Sequence, residues 1–398
     1  MLRLKLAVIS FTAMLLVGFC DPLLLWSRGE QKAIPANSTW RPNRPSTNGH
    51  FVGAQACAKC HADKAATYKH SSMSQALETV ADCSILRKHP LLTYKLGPFT
   101  YRITREGTRS LYSVTDGVNT VTEPILHCFG QGTAGQTYML QHAGSFYESR
   151  VSFYNDTQGL DITIGYPRTV PASLNEALGR LTGPDEVRSC YGCHSTAATN
   201  GMKLQLDSLM PGVSCEACHG PGEKHLAAMK VGNLAEKSIF NPAKLSGDEL
   251  TQEFCAACHR SAEDVALMPD QAGINNVRFQ PYRIFGSPCY ADDKRISCTA
   301  CHDPHQELKR DISSYDSKCM ACHISKAILP KTQFIKAATL PAALSDENAT
   351  PVATAPPCPV ETANCASCHM PKVDLPGSHT KFTDHRIRVV KPGDAFPK

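Results

Sequence analysis

Large side chains are scarce in this 398-residue chain: 2 Trp, 12 Tyr and 14 Phe make up only 7% of it. That is thin for the interior of a chain with a soft prior of two to three domains. Something other than side chains has to fill part of that interior. Charge is also sparse, at 19% against 42% hydrophobic residues, which is too apolar for a disordered chain. No internal apolar run is long enough for a polytopic membrane protein. Against these shortages stand 19 cysteines and 16 histidines.

Spacing explains the cysteines. Seven times the chain reads Cys-x-x-Cys-His: Cys57, Cys60 and His61; Cys190, Cys193 and His194; Cys215, Cys218 and His219; Cys255, Cys258 and His259; Cys298, Cys301 and His302; Cys319, Cys322 and His323; Cys365, Cys368 and His369. Random placement predicts about 0.04 copies of this c-type haem signature. A zinc site or a thioredoxin-like pair could account for one copy. Neither gives a reason for a histidine straight after every second cysteine. The expected cofactor is therefore haem c, seven per chain. Two thiols about one helical turn apart add to the two vinyl groups, and the next residue points its imidazole at the iron. His61, His194, His219, His259, His302, His323 and His369 are the proximal ligands on this basis.

Haem changes the charge balance. The bare chain carries +5. With ionised propionates, seven oxidised haems bring the total to about −2 and seven reduced haems to about −9. The basic sequence therefore gives no ground for a nucleic-acid partner.

Residues 1–27 read as an export signal or an N-terminal membrane anchor. Arg3 and Lys5 precede an uncharged run from Leu6 to Phe19. Cys20 follows Val17-Gly18-Phe19, a poor match to a lipoprotein signal, and the apolar run resumes at Leu23. Either outcome puts the bulk of the chain in the periplasm or on the outer face of the cytoplasmic membrane, where haem c is attached. In that oxidising setting Cys83, Cys128, Cys289 and Cys358 can pair, in three connectivities. Their positions along the chain favour Cys83–Cys128 and Cys289–Cys358, with free buried thiols as the other option.

Residues 28–50 are rich in Pro, Asn, Ser and Thr and read as a flexible tether. Residues 51–89 hold the first motif, with a helix expected over 65–80. Residues 90–166 lack the motif and change to period two: Phe99, Tyr101 and Ile103 alternate with polar residues, and Asp116-Gly117 and Ala143-Gly144 read as hairpin turns. A meander of about five antiparallel strands is expected there, either packing on neighbouring haems or offering a docking face. Residues 185–390 hold six motifs at about 30 residues per haem, too few for separate domains. A Pro/Ala/Thr-rich surface loop is expected over 330–362. The fold class that follows is mostly irregular, with short α-helices packed around a seven-haem core and a small antiparallel β insert.

The stretches CEACHGPGEKH (215–225), CTACHDPH (298–305) and CASCHMPKVDLPGSHTKFTDHRI (365–387) resemble the paired-CXXCH multihaem cytochromes c. That superfamily includes the nitrification tetrahaem cytochrome, pentahaem nitrite reductase and octahaem hydroxylamine oxidoreductase. The resemblance covers about residues 50–75 and 185–390 and does not account for the strand-rich insert. Its nitrite reductases ligate the catalytic haem through a Cys-x-x-Cys-Lys lysine, which this chain lacks. The resemblance implies that His225, His305, His379 and His385 are distal iron ligands. His305 is three residues past His302, so it cannot cross to the far face of the same porphyrin and has to serve a neighbour. The same restriction applies to His225, six residues past His219. For the first haem, TYKHSSMSQAL (67–77) offers His70 and Met73. The resemblance puts a ligand near Met73, and a core methionine is the other option. His50, His89, His127 and His142 are weaker candidates.

Three functions are compatible with this reading. The first is a non-catalytic heptahaem cytochrome relaying electrons from a quinol-oxidising membrane complex or soluble cytochrome to a terminal reductase or acceptor. The second is a multihaem oxidoreductase of a small nitrogen or sulfur oxyanion, with one open haem and proton donors such as Arg188, Tyr191 or Arg283. The third is a cytochrome filament subunit sharing ligands between copies. A pyridine haemochrome assay should count seven haems per chain, and six in a Cys57→Ala/Cys60→Ala variant.

Overall fold

The structure, a computed structural model, describes residues 40–43, 49–235, 237–291, 294, 296–323, 358, 360–391 and 393–397. The signal or anchor over 1–27, most of the tether and most of the 330–362 loop lie outside the described residues.

The strand-rich insert is larger than its periodicity indicated. It comprises β1 (Leu77–Thr79), β2 (Leu91–Leu96), β3 (Phe99–Glu106), β4 (Arg109–Thr115), β5 (Thr120–Phe129), β6 (Thr137–His142), β7 (Ser145–Ser149), β8 (Val151–Tyr154), β9 (Gly159–Ile162) and β10 (Gly179–Leu181). An antiparallel sheet runs β10-β7-β6-β5-β4-β3-β2, with β1 paired to the end of β5. The three-residue strands β1 and β10 are too short to show a period in sequence, and they carry the sheet beyond 90–166 at both ends.

Alternation sets the faces. Phe99, Tyr101 and Ile103 of β3 point inward with Tyr112 and Val114 of β4, and cross-strand pairs join Tyr101 to Val114 and Ile103 to Tyr112. The Asp116-Gly117 turn holds: the Asp116 carboxylate accepts from the amides of Val118 (2.8 Å) and Asn119 (2.7 Å). In the β6–β7 hairpin, Ala143 (φ 48°) and Gly144 (φ 81°) are both left-handed, the geometry whose twist suits a two-residue turn.

The extended chain from β7 into β8 is broken at Arg150. Its buried guanidinium donates to the carbonyls of Pro167 (3.2 Å) and Thr169 (3.0 Å), and β8 leaves the sheet to pair with β9. β9 lies against β2 and β8 against β6, folding the sheet toward a half-barrel. Of 35 buried apolar residues among those described, 24 fall between Leu77 and Leu178. This body thus has a conventional side-chain core.

The remainder is different. Short helices and two-stranded ribbons span Pro184 to Thr383, with few buried apolar side chains. The fold is accordingly mixed α/β, with a substantial β body in place of the small insert expected. The helix expected over 65–80 also stops early. It covers Ala62–Tyr68, after which the Ser71 hydroxyl accepts from the Ser74 amide and the Ser74 hydroxyl donates to the Ser71 carbonyl. Such local bonds compete with helix, so His70 and Met73 share no helix face. Among the described residues no helix is long and apolar enough to cross a membrane.

Leu140, fully buried on β6, should mark the core. Leu140→Ala is expected to lose about 2–5 kcal/mol in denaturant titrations followed by far-UV circular dichroism. Val118→Ala, at a hairpin tip, should stay within about 0.5 kcal/mol of the parent.

Candidate haem-binding sites

The attachment motifs sit on single helical turns. Three examples are Cys190–His194 at the end of Pro184–His194, Cys215–His219, and Cys365–His369. In others the turn closes through the His amide onto the first Cys carbonyl, as from His61 to Cys57 (2.9 Å) and His302 to Cys298 (2.9 Å). Residues i and i+3 lie on one side of such a turn, so both thiols of a motif face the same way.

The histidines are prepared for metal. Nδ1 of His194 faces the Ala76 carbonyl (3.1 Å), that of His219 the Phe240 carbonyl (3.0 Å) and that of His369 the Arg388 carbonyl (3.0 Å). The same holds for His225 with the Lys237 carbonyl (2.6 Å) and His385 with the Thr383 carbonyl (3.0 Å). A carbonyl can only accept, so Nδ1 carries the proton and Nε2 keeps the lone pair that iron requires. Burial lowers the pKa of His194, His219, His259 and His302, and pushes His385 down to about 4. These rings are neutral, the ligating form.

Three histidine pairs face each other across a gap. His61 and His225 have ring centroids 6.4 Å apart, His219 and His305 6.0 Å, and His302 and His385 6.3 Å. An imidazole nitrogen sits about 2 Å from a transition metal and roughly 1 Å from its own ring centroid, so two rings sharing a metal lie about 6 Å apart. In each pair one member ends an attachment motif. Donor type, tautomer and separation therefore fit a haem held on both faces by imidazole. The buried Nε atoms of Arg188 and Arg278 have no hydrogen-bond partner, a further fit to a group bearing carboxylates.

The thiols show which motifs adjoin. Cys57 and Cys215 shift each other's ionisation in opposite senses, raising Cys57 and lowering Cys215, as hydrogen-bonded thiols do. Cys193 with Cys258, and Cys255 with Cys298, behave likewise. Cys365 and Cys301 both act on the Cys319 thiol, and Cys218 acts electrostatically on both Cys255 and Cys258. Thioethers would carry no proton, so these effects serve here only as a record of proximity. All seven motifs form one connected set, with the fourth (Cys255–His259) as its branch point. The closest thiols join the first motif to the third and the second to the fourth.

Other candidates lie elsewhere. Nε2 of His379 is 2.7 Å from an Asp161 carboxylate oxygen and its ring packs on Tyr154, so it ties the C-terminal segment to β9. His70 is exposed and Met73 half-buried in the turn after Tyr68. His127 hydrogen-bonds the Tyr191 hydroxyl (2.9 Å), His142 meets Glu123 (2.6 Å), His89 packs on Phe153, and His50 is exposed. Among the described residues, His194, His259, His323 and His369 make no close ring contact with a second histidine, although His194 acts on His259 electrostatically. Arg283 is fully buried in a bidentate pair with Asp384 (2.8 and 3.0 Å), and Tyr191 is bonded to His127, so neither stands free as a proton donor. Cys83 and Cys128 are buried free thiols in contact inside the β body. Cys289 and Cys358 are also free thiols; Cys289 lies near Cys322, whereas Cys358 is exposed.

The Arg283–Asp384 clamp, extended by Arg388 (2.6 Å), was not anticipated from sequence. Aspartate and arginine about a hundred positions apart carry no local signal. The β body contributes too: Leu77, Met139 and Phe129 pack on Val187 and Tyr191 of the helix bearing the second motif.

A family model described as cytochrome c554 and c-prime matches residues 171–220. The multihaem cytochrome MtrA of Shewanella baltica (strain OS185) is 25% identical over 175 residues, 39% of this chain and 51% of that protein. The chain thus spans about half the length of this curated relative. The solved structure of the outer cell wall cytochrome OcwA is similar at a TM-score of 0.29 and 18% identity, over 52% of this chain and 37% of that one. The family model and the curated relative support a multihaem c-type cytochrome with covalently attached haem c, and do not single out the nitrification-type superfamily.

Removing the guanidinium partner of a buried carboxylate leaves charge poorly compensated. Arg283→Met should cost about 3 kcal/mol, read as a lowered denaturant midpoint of the C-terminal segment.

Proposed function

We propose that the chain is a heptahaem c-type cytochrome that relays single electrons outside the cytoplasmic membrane. Its donor is a quinol-oxidising membrane complex or a soluble cytochrome, and its acceptor a terminal reductase. When bound, each haem supplies an iron that alternates between ferric and ferrous. The cysteines of the seven motifs hold the haems, and the histidine that ends each motif is the proximal ligand. His225 serves the first haem as distal ligand, His305 the third and His385 the fifth.

The observation that carries this reading is the combination of facing histidine pairs with a continuous run of adjoining motifs. Imidazole on both faces leaves no position for substrate, and adjoining motifs give electrons a path through the protein. The chain's own part is to fix rings such as His194, His219 and His385 through Nδ1–H bonds to carbonyls, to keep those three neutral by burial, and to hold neighbouring motifs close together.

One observation favours a second reading, an oxidoreductase of a small nitrogen or sulfur oxyanion. His194, His259, His323 and His369 make no close ring contact with a second histidine among the described residues. The relay needs sixth ligands there too, from the remaining His50, His70, His89, His127, His142, His379 and Met73.

Low-temperature EPR of the oxidised, haem-loaded protein decides between them. The relay predicts low-spin signals only, unchanged by nitrite or hydroxylamine. A high-spin signal that shifts on adding either ligand would sink the relay in favour of the oxidoreductase.

A further inference from the structure

The third attachment motif reads Cys215-Glu216-Ala217-Cys218-His219, and Glu216 inside it is fully buried. Burying a carboxylate is expensive unless its oxygens are well supplied with donors. Here the donors are backbone amides from two separate segments. Oε1 accepts from Val52 N (2.8 Å) and Gly222 N (2.7 Å), and Oε2 accepts from Gly53 N (2.7 Å) and from Val52 N at 3.1 Å.

Both segments lead to the same histidine pair. Gly53 is the N-cap of the helix Ala54–Ala58, which runs into Cys57, Cys60 and His61. Gly222 is the N-cap of the helix Glu223–Lys230, which carries His225. The approach is close: a Cβ on Gly222 would lie 3.0 Å from Val52 Cγ2 and 3.2 Å from Glu216 Oε1. The carboxylate therefore bridges the roots of the two arms whose imidazoles stand 6.4 Å apart.

We infer that Glu216, a residue of the third motif, is a positioning residue for the first haem: by binding the backbone of both arms it sets the separation of His61 and His225. It touches neither imidazole. The inference rests on the proposed function in one respect, that His61 and His225 share an iron. A carboxylate suits this role because both oxygens only accept, and between them they take amides from both arms. In Glu216→Gln one oxygen becomes an NH2 that cannot accept from an amide, so either the Gly53 or the Gly222 amide loses its acceptor while volume and shape are kept.

Carbon monoxide binding to the dithionite-reduced, haem-loaded protein tests this, because an iron with imidazole on both faces excludes the gas. His225→Ala is expected to bind one more equivalent per chain than the parent. Glu216→Gln should bind up to one more equivalent, and Glu216→Gln/His225→Ala no more than His225→Ala alone. If His225→Ala gains nothing, the shared iron is wrong and the axial assignment fails with it. If His225→Ala gains an equivalent and Glu216→Gln gains none, the positioning role is overturned while the axial pair stands. A gain above one equivalent in Glu216→Gln also overturns it, since the effect would not be confined to one haem. Should that variant not accumulate, Glu216→Asp replaces it. The shorter carboxylate reaches only one arm, and the same non-additivity with His225→Ala is required.

Discussion

The constraint on which this molecule depends is that an iron inside a porphyrin has two faces. On the axial assignment proposed above, the histidine that ends each attachment turn would occupy one face, and a near neighbour in sequence could not reach the other. The second imidazole would have to come from a different part of the chain. The three facing pairs follow this rule: His225 of the third motif's arm meets His61, His305 meets His219, and His385 meets His302. Each pairing ties two distant segments together, so ligation and tertiary structure become one problem.

This explains how a chain poor in aromatics builds an interior. The β body solves it in the ordinary way, with alternating strands that bury Phe99, Tyr101, Ile103, Tyr112 and Leu140. The motif-bearing part has little apolar bulk and relies on connections. Adjoining thiols link motif to motif, imidazoles bond to carbonyls, and buried acids such as Glu216 and Asp384 bind segments far apart in sequence. The two parts meet where the sheet packs on the helix carrying Cys190 and His194. The β body therefore braces one end of the motif network, with a structural role sufficient to explain its presence.

Adjacency also bears on electron flow. The fourth motif lies near the second, third and fifth, which makes the network branched. Cys57 to Cys215 joins the first motif to the third, and Cys365 to Cys319 joins the seventh to the sixth. A relay on this plan has ends at the first, second and seventh motifs.

Chemistry was legible in the sequence wherever it is local. The Cys-x-x-Cys-His turn spans five residues, so cofactor class and covalent attachment could be read from spacing alone. The period of Phe99 to Ile103 and the turn at Asp116-Gly117 were equally local. Tertiary structure alone decided what depends on residues meeting across the chain: which histidine faces which motif, that the second motif adjoins the fourth, that His379 binds Asp161, and that β8 leaves the sheet at Arg150. The physical reason is the same in each case. A bond between adjacent residues is set by backbone geometry, whereas a bond between distant ones is set by how every intervening segment packs.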